Sequence, residues 1–395
     1  MPMPLLLYAY LLTEMLAPFF AGLLVLNAIL FLGRLIPLLE IIFDFGIGMA
    51  DFIRICAYIS PKLLLFSIPM ASMMGVVIAF TRMTGEHEVM ALKASGIGLY
   101  RMLPPVLLLG LLTALITYTT ATTLIPKGTV AMHQLFYHLA KNKIDRGVRE
   151  KTFSEGIKDA VLYVEKMDPQ SREWHGVYLS DLRDKKSPLT VIAKSGSLKA
   201  DLAAKRVVLH LADGNLHRAV ANKSQTIHFQ QYTLDLPLNP PKGLAGDGGK
   251  NALTQAELLE TAARLKADNP NRATLLIEYQ QRLALPVGCL ILTVLGLALA
   301  LTGRPSQPAL GVPLGLTSFI AYYILLTAAK SVAESGQLPI IVAMWLPNLL
   351  FAALTIHLTT KTARELDNPW LERGLALAQS AMARLRQWRR GGSAQ

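Results

Sequence analysis

The residues best equipped for chemistry are charges set beside long apolar stretches. In TRMTGEHEVMALKASGIGLYR (81–101), Glu86 and Glu88 open a short amphipathic pattern. Thr84 is placed to cap a helix, and two early carboxylates suit a helix N-terminus. Val89, Leu92 and, less regularly, Met90 supply an apolar stripe; Gly96 is placed to end the helix, with Gly98 loosening the exit. Such a helix can dock into another protein by ion pairing. The plainer alternative is an interfacial helix that covers lipid headgroups. Arg34, Lys62 and Lys330 stand at the ends of apolar runs. There a cation either snorkels to the headgroups or meets an anionic ligand. Arg282 follows Glu278 by four residues, the spacing of an ion pair along one helix face.

Equally informative is the chemistry that is missing. GLAGDGGKN (243–251) holds Gly-Gly-Lys but not the G-x-x-x-x-G-K-[ST] spacing that cradles phosphates and magnesium. His87 and His133 stand in no H-E-x-x-H pattern, and Cys56 and Cys289 both fall at or inside apolar runs. No Ser/His/Asp arrangement is identifiable from spacing. No catalytic residue, metal or cofactor is expected, and the chain does not read as an enzyme.

These residues are carried by membrane elements. Of 395 residues, 52% are hydrophobic and 17% charged. Several runs exceed the roughly 18 apolar residues that cross a bilayer. Residues 5–14 form an apolar lead-in ending at Glu14, and no cleavable signal peptide is evident. Six spans are read at about 15–39, 56–80 (with Pro61 and Pro69 as kinks), 102–125 (ended by Pro126), 282–301, 309–329 and 338–359. A loop occupies 40–55 and a tight turn 303–308. From 127 to about 271 the runs give way to alternation. VLYVEK (161–166), WHGVYLSDL (174–182), LTVIAKS (189–195), RVVLHLAD (206–213), NLHRAV (215–220) and QTIHFQQYTLDL (225–236) read as strands. They make an all-β domain, a sandwich or jelly roll. Residues 240–251 are a linker, and 254–267 a helix with a Thr254/Glu257 capping box. The tail from Lys361 is basic, with a membrane-surface helix at 383–390.

An even number of spans puts both termini on one side. Short loops and tail on that side carry Arg82, Lys93, Arg101, Arg304 and seven basic residues from Lys361 onward. The bias places them in the cytoplasm and the β domain outside it. The net charge of +12 suits an anionic membrane or ligand at least as well as nucleic acid.

The stretch E-x-V-M-x-L-x-A-S-G after the second span, and EYQQRLALPVGCLILTVLGLALAL (278–301) leading into the fourth, resemble the LptF/LptG permeases of the lipopolysaccharide transport ABC exporter. The resemblance covers the whole chain, and the second motif is closer to the LptF side. It implies an α-helical membrane protein with six transmembrane helices and a periplasmic β-jellyroll. Residues 1–126 would hold spans 1–3 with a coupling helix at about 84–96. Residues 127–271 would be the β domain with its linker and helix, 272–360 spans 4–6, and 361–395 a cytoplasmic tail.

The function implied is a non-catalytic permease subunit in a bacterial inner membrane. It would extract lipopolysaccharide and pass it to a periplasmic bridge toward the outer membrane. Partners would be a paralogous permease, two copies of an ABC ATPase, the bridge and a single-span regulator, with no nucleic acid. Glu86, Glu88, Val89 and Leu92 would meet the ATPase, Glu88 in the family's acidic coupling position. Arg34 occupies a position matching the family's phosphate contacts, with Lys62 and Lys330 as weaker candidates. Leu26, Leu30, Phe319, Tyr322, Tyr323 and Leu326 are candidates to line an acyl cavity. A membrane-anchored scaffold without transport activity is the alternative. A secondary transporter is disfavoured, since no ionisable residue sits at a span centre and no inverted repeat is evident.

Overall fold

The computed structural model describes residues 5–45, 48–147, 151, 153–157, 160–167, 174–181, 189–201, 206–220, 223–237, 247–266, 269–302 and 311–364. The 303–308 turn and the 383–390 helix fall outside them, as does most of the linker. Six helical stretches among the described residues are long and apolar enough to cross a membrane: Leu5–Ile36, Met49–Gly85, Leu99–Leu139, Pro270–Thr302, Gly311–Glu334 and Ile340–Ala363.

The lead-in and first span are one 41-residue helix, α1 (Leu5–Phe45). Glu14 does not halt it, because its carboxylate pairs with the Arg82 guanidinium. α2 (Met49–Gly85) keeps Pro61 and Pro69 inside it. The expected 40–55 loop is therefore helical up to Phe45 and again from Met49. A two-residue turn leads to α3 (Glu88–Ala94). α4 (Leu99–Thr119) passes through a π-helical turn at Thr120–Leu124 into α5 (Ile125–Gly147). Pro126 was expected to end this span. The widened turn before it relieves the clash its ring makes with the carbonyl four residues back, so the helix continues. After the strands come a 3₁₀ turn (Asp247–Ala252), α6 (Gln255–Arg264), α7 (Pro270–Thr302), α8 (Gly311–Glu334) and α9 (Ile340–Ala363). The capping box on α6 is present in full: Thr254 Oγ1 accepts from the Glu257 amide, and Glu257 accepts from the Thr254 amide at 2.8 Å.

The chain forms two compact units. The first comprises Met1–Gly33, Ser60–Pro126 and Ala252–Gln395; the second comprises Arg34–Ile59 and Lys127–Asn251. In the first unit, α2 and α7 supply the most deeply buried spans, and α1 the least buried. One apolar cluster joins α2, α7, α8 and α9 through Met73, Val77, Leu292, Tyr322 and Phe351. Between α2, α4 and α7 lies a buried hydroxyl knot. Ser72 Oγ is 3.0 Å from Thr113 Oγ1 and 2.8 Å from Thr293 Oγ1. Thr113 and Thr293 also donate back to the carbonyls of Leu109 and Cys289 on their own helices. Within a bilayer such groups need partners inside the protein, and these have them.

In the second unit, Leu38, Ile55, Met132 and Phe136 pack the ends of α1 and α2 against α5. Six antiparallel strands follow in sequential order: β1 (Phe153–Ile157), β2 (Ala160–Met167), β3 (Trp174–Asp181), β4 (Leu189–Asp201), β5 (Arg206–Val220) and β6 (Lys223–Pro237). Among the described residues each strand pairs only with its sequence neighbours, a meander bent around one apolar face. β1 was not expected. The two strands read at 206–213 and 215–220 are a single strand, β5.

That strand explains how the sheet bends. β5 buries Leu209 and Leu211, then skips a beat and buries Gly214 and Leu216. β4 does the same between Ala193 and Gly196, and β3 between Val177 and Trp174. Pairing holds on both sides of this row, with Val177↔Ala193 and His175↔Ser195 flanking it, then Ala193↔Gly214 and Ser195↔Ala212. In the row stand Gly176 (φ 65), Lys194 and Asp213 (φ 53). A left-handed residue turns the following side chain to the other face. Because the flips are aligned, the sheet creases without losing its apolar face.

Candidate functional site

α3 is a two-turn helix whose sides differ sharply. Val89 is 5% exposed and packs with Leu11, Met15, Phe80, Met83 and Met102; Leu92 packs partly against the same cluster. Met90, at 51% exposed, faces away, as do Ala91 and Ala94. The stripe expected to meet a partner is thus two-sided. Val89 and Leu92 seat the helix on its own chain and Met90 is free of it. The helix ends at Gly96 (φ 77), where Ile97 N donates to Leu92 O and Gly96 N to Lys93 O, both at 3.0 Å. This is the Schellman closure the glycine predicted. Its start is not the one expected. Thr84 is still inside α2, donating to the Phe80 carbonyl at 2.7 Å. His87 (φ 63) takes the N-cap position, with no side-chain cap.

Both acidic residues of this segment are held by the chain. Tyr10 Oη donates to Glu88 Oε2 at 2.8 Å. Arg82 donates from Nη2 to Glu14 and lies 3.5 Å, through Nε, from Glu86. Tyr10, Glu14 and Arg82 are functional candidates the sequence reading missed. The available signal was the four-residue spacing of Tyr10 and Glu14, which puts two polar groups on one face of an otherwise apolar helix.

The residues proposed for lipid contact divide. Tyr322 (1% exposed) and Leu326 (5%) belong to the interior of the bundle. Tyr322 Oη donates to Asn348 Oδ1 at 2.8 Å, and Asn348 Nδ2 to the Ala284 carbonyl at 2.8 Å. They brace α8 against α9 and α7 and do not line a surface. Phe319 and Tyr323, with ring centres 4.6 Å apart, line an open apolar hollow of about 480 Å³ along α8 with Ile320, Ile324 and Thr327. Phe66 of α2 lies 5.4 Å from the Tyr323 ring, and exposed Lys62 is one helical turn from Phe66. Lys330 is half-buried beside Ser331, at the other end of the hollow. On α1, Leu26 is half-buried and Leu30 is 39% exposed. Arg34 is exposed and belongs to the second unit.

The expected pair at the start of span 4 is present. Arg282, 2% exposed, donates from Nε to Glu278 Oε1 at 3.1 Å and from Nη1 to the Leu253 carbonyl at 2.8 Å. Among the described residues no cluster of three or more His, Cys, Asp or Glu has a metal-binding arrangement.

The chain is similar to an uncharacterized protein, RP871, of Rickettsia prowazekii (strain Madrid E). The two are 24% identical over 339 residues, spanning 84% of this chain and 91% of that protein. The family described as lipopolysaccharide export system permease LptF/LptG matches residues 9–361. With six membrane-crossing helices, a β domain and that match over most of its length, the chain belongs to the LptF/LptG family, a membrane-spanning transport component of lipopolysaccharide export.

Proposed function

We propose that the chain is one of two paralogous permeases in an ABC exporter driven by two copies of an ATPase. It extracts lipopolysaccharide from the inner membrane and hands it to a periplasmic bridge. Both termini then lie in the cytoplasm and the β domain in the periplasm, as the basic short loops favour. The observation that carries the reading is α3, seated inward by Val89 and Leu92 and presenting Met90 outward between two spans. A short helix so fixed transmits displacement to the spans it joins. Glu88 meets a cation on the ATPase, and Glu86 flanks the contact.

Phe319 and Tyr323 face acyl chains along the α8 hollow, with Leu26 and Leu30 offering further apolar contact from α1. Arg34 and Lys62, both exposed, and half-buried Lys330 are cations for headgroup phosphates. Tyr322 and Leu326 support these surfaces from within. The β domain continues the path by pairing an edge strand with the bridge.

The test is the purified complex carrying Glu88→Lys, which places like charges together. Loss of ATPase co-purification, or ATP turnover without lipid release, supports the reading. Normal assembly with full lipid export refutes the role of α3. An ATPase that never co-purifies with the parent chain favours the scaffold alternative.

A further inference from the structure

α1 touches the coupling segment at two points on one face. Tyr10 Oη donates to Glu88 Oε2, and Glu14, one turn on, accepts from Arg82 at the end of α2. Arg82 also approaches Glu86 in the turn before α3. Apolar packing reinforces the clamp, since Leu11 and Met15 share a cluster with Val89. Farther along, α1 crosses α2 at Phe19 and Gly75. A Cβ on Gly75 would stand 2.9 Å from Phe19 Cβ and 3.1 Å from the Met15 carbonyl, so the backbones meet there. Past that crossing the helix is largely bare as far as Leu32: Leu24, Val25, Ile29 and Leu32 are 52–71% exposed. α1 is therefore gripped at the end that meets α3, crosses α2 closely at Phe19, and is little held from Leu24 to Leu32, before Leu35 and Leu38 pack again.

We propose that Tyr10 is the positioning residue through which α3 moves α1. Its hydrogen bond fixes the Glu88 carboxylate and ties α1 to any displacement of that helix. The close crossing at Gly75 serves as the pivot. Sixteen residues separate Tyr10 from Leu26, about 24 Å of helix at 1.5 Å per residue. A tilt imposed at Tyr10 swings Leu26 and Leu30 in the opposite sense. This rests on the reading that α3 docks to an ATPase.

The experiment uses the full chain in its complex, reconstituted in vesicles containing lipopolysaccharide. ATP turnover and lipid released are measured together. Tyr10→Phe keeps the ring and removes only the hydroxyl. ATP turnover is expected to stay at the parental rate while lipid released per ATP falls about fivefold, the factor carried by one ordinary hydrogen bond. Glu88→Ala is run beside it. If Glu88→Ala uncouples and Tyr10→Phe behaves as the parent, the role of Tyr10 is overturned and the docking of α3 stands. If neither variant changes the ratio, both fall. A merely structural Tyr10 would lower turnover and release in parallel, which also overturns the proposal.

Discussion

Arg282 lies almost wholly out of solvent with its Nε 3.1 Å from Glu278 Oε1, one turn back on the same helix. Its Nη1 reaches the Leu253 carbonyl and so ties the approach to α6 onto α7. Leu258, Ala262 and Leu275 complete that junction. Removing Glu278 takes that carboxylate away from a buried guanidinium. Glu278→Ala is expected to cost about 3–5 kcal/mol, as for other broken buried pairs. Replacing both residues by methionine recovers most of that loss. Thermal unfolding in detergent is the measurement, and equal destabilisation by single and double variants would contradict the pairing argument.

Gly288 lies where α7 meets α8 and α9. A Cβ there would overlap Tyr322 Oη and fall 2.6 Å from its Cζ and 3.1 Å from Asn348 Oδ1. Gly288→Ala must therefore displace Tyr322 and break its bond to Asn348. Overpacking of this kind typically costs about 1–3 kcal/mol, and the stranded amide oxygen adds to it. Gly33→Ala is the control. It is helical with nothing within 4 Å of a new Cβ, and gains about 0.5–1 kcal/mol from helix propensity. The thermal midpoints of the two variants should move in opposite directions.

The aligned crease in the sheet carries an ion pair. Lys194 Nζ donates to Asp213 Oδ2 at 2.7 Å. That bond and the lysine's charge hold the Asp213 carboxyl below its ordinary range, with a smaller contribution from His228. A depressed carboxyl adds stability above its unfolded pKa of about 3.9 and loses it as pH falls through the lower folded value. The pH dependence is therefore confined to acid, and near neutrality the contribution is present in full. Carbon-detected NMR titration should place the Asp213 midpoint below that of a free aspartate. Lys194→Ala should return it to the ordinary range.

Membrane helices were legible in the sequence because twenty-odd apolar residues admit few alternatives. Their ends were not. Pro126 is a strong local stop, yet the π-helical turn at Thr120–Leu124 carries the helix past it. Thr84 is a good cap by type, yet its hydroxyl bonds back to Phe80 and α2 runs on to Gly85. Asp213-Gly214-Asn215 reads as a turn by composition, which is why β5 was divided there. The left-handed Asp213 is real, but it serves a crease shared with Gly176 two strands away, a pairing invisible to local reading. Glu88 stands out in the sequence as an early carboxylate of a short amphipathic stretch. Its intramolecular partner, Tyr10, is 78 residues distant in a stretch taken for an apolar lead-in.

The two faces of α3 give a test in which neighbouring residues behave oppositely. Val89 is buried among α1, α2 and α4 side chains; Met90 is half-exposed and touches none of that cluster. Burying a carboxylate at Val89 forfeits about 1.5–3 kcal/mol of apolar burial and adds the cost of an unpaired charge. Val89→Asp should therefore destabilise the chain itself, lowering its thermal midpoint before any partner is present. Met90→Asp leaves the packing untouched and should unfold like the parent. If Met90 enters a groove on the ATPase, the new carboxylate must be desolvated there, and co-purification should fall at least tenfold, the factor of about 1.4 kcal/mol. Thermal unfolding of the purified chain and the yield of ATPase co-purified with it read the two effects separately. A Met90→Asp chain that binds its ATPase normally would show that the outward side of α3 is not the docking face.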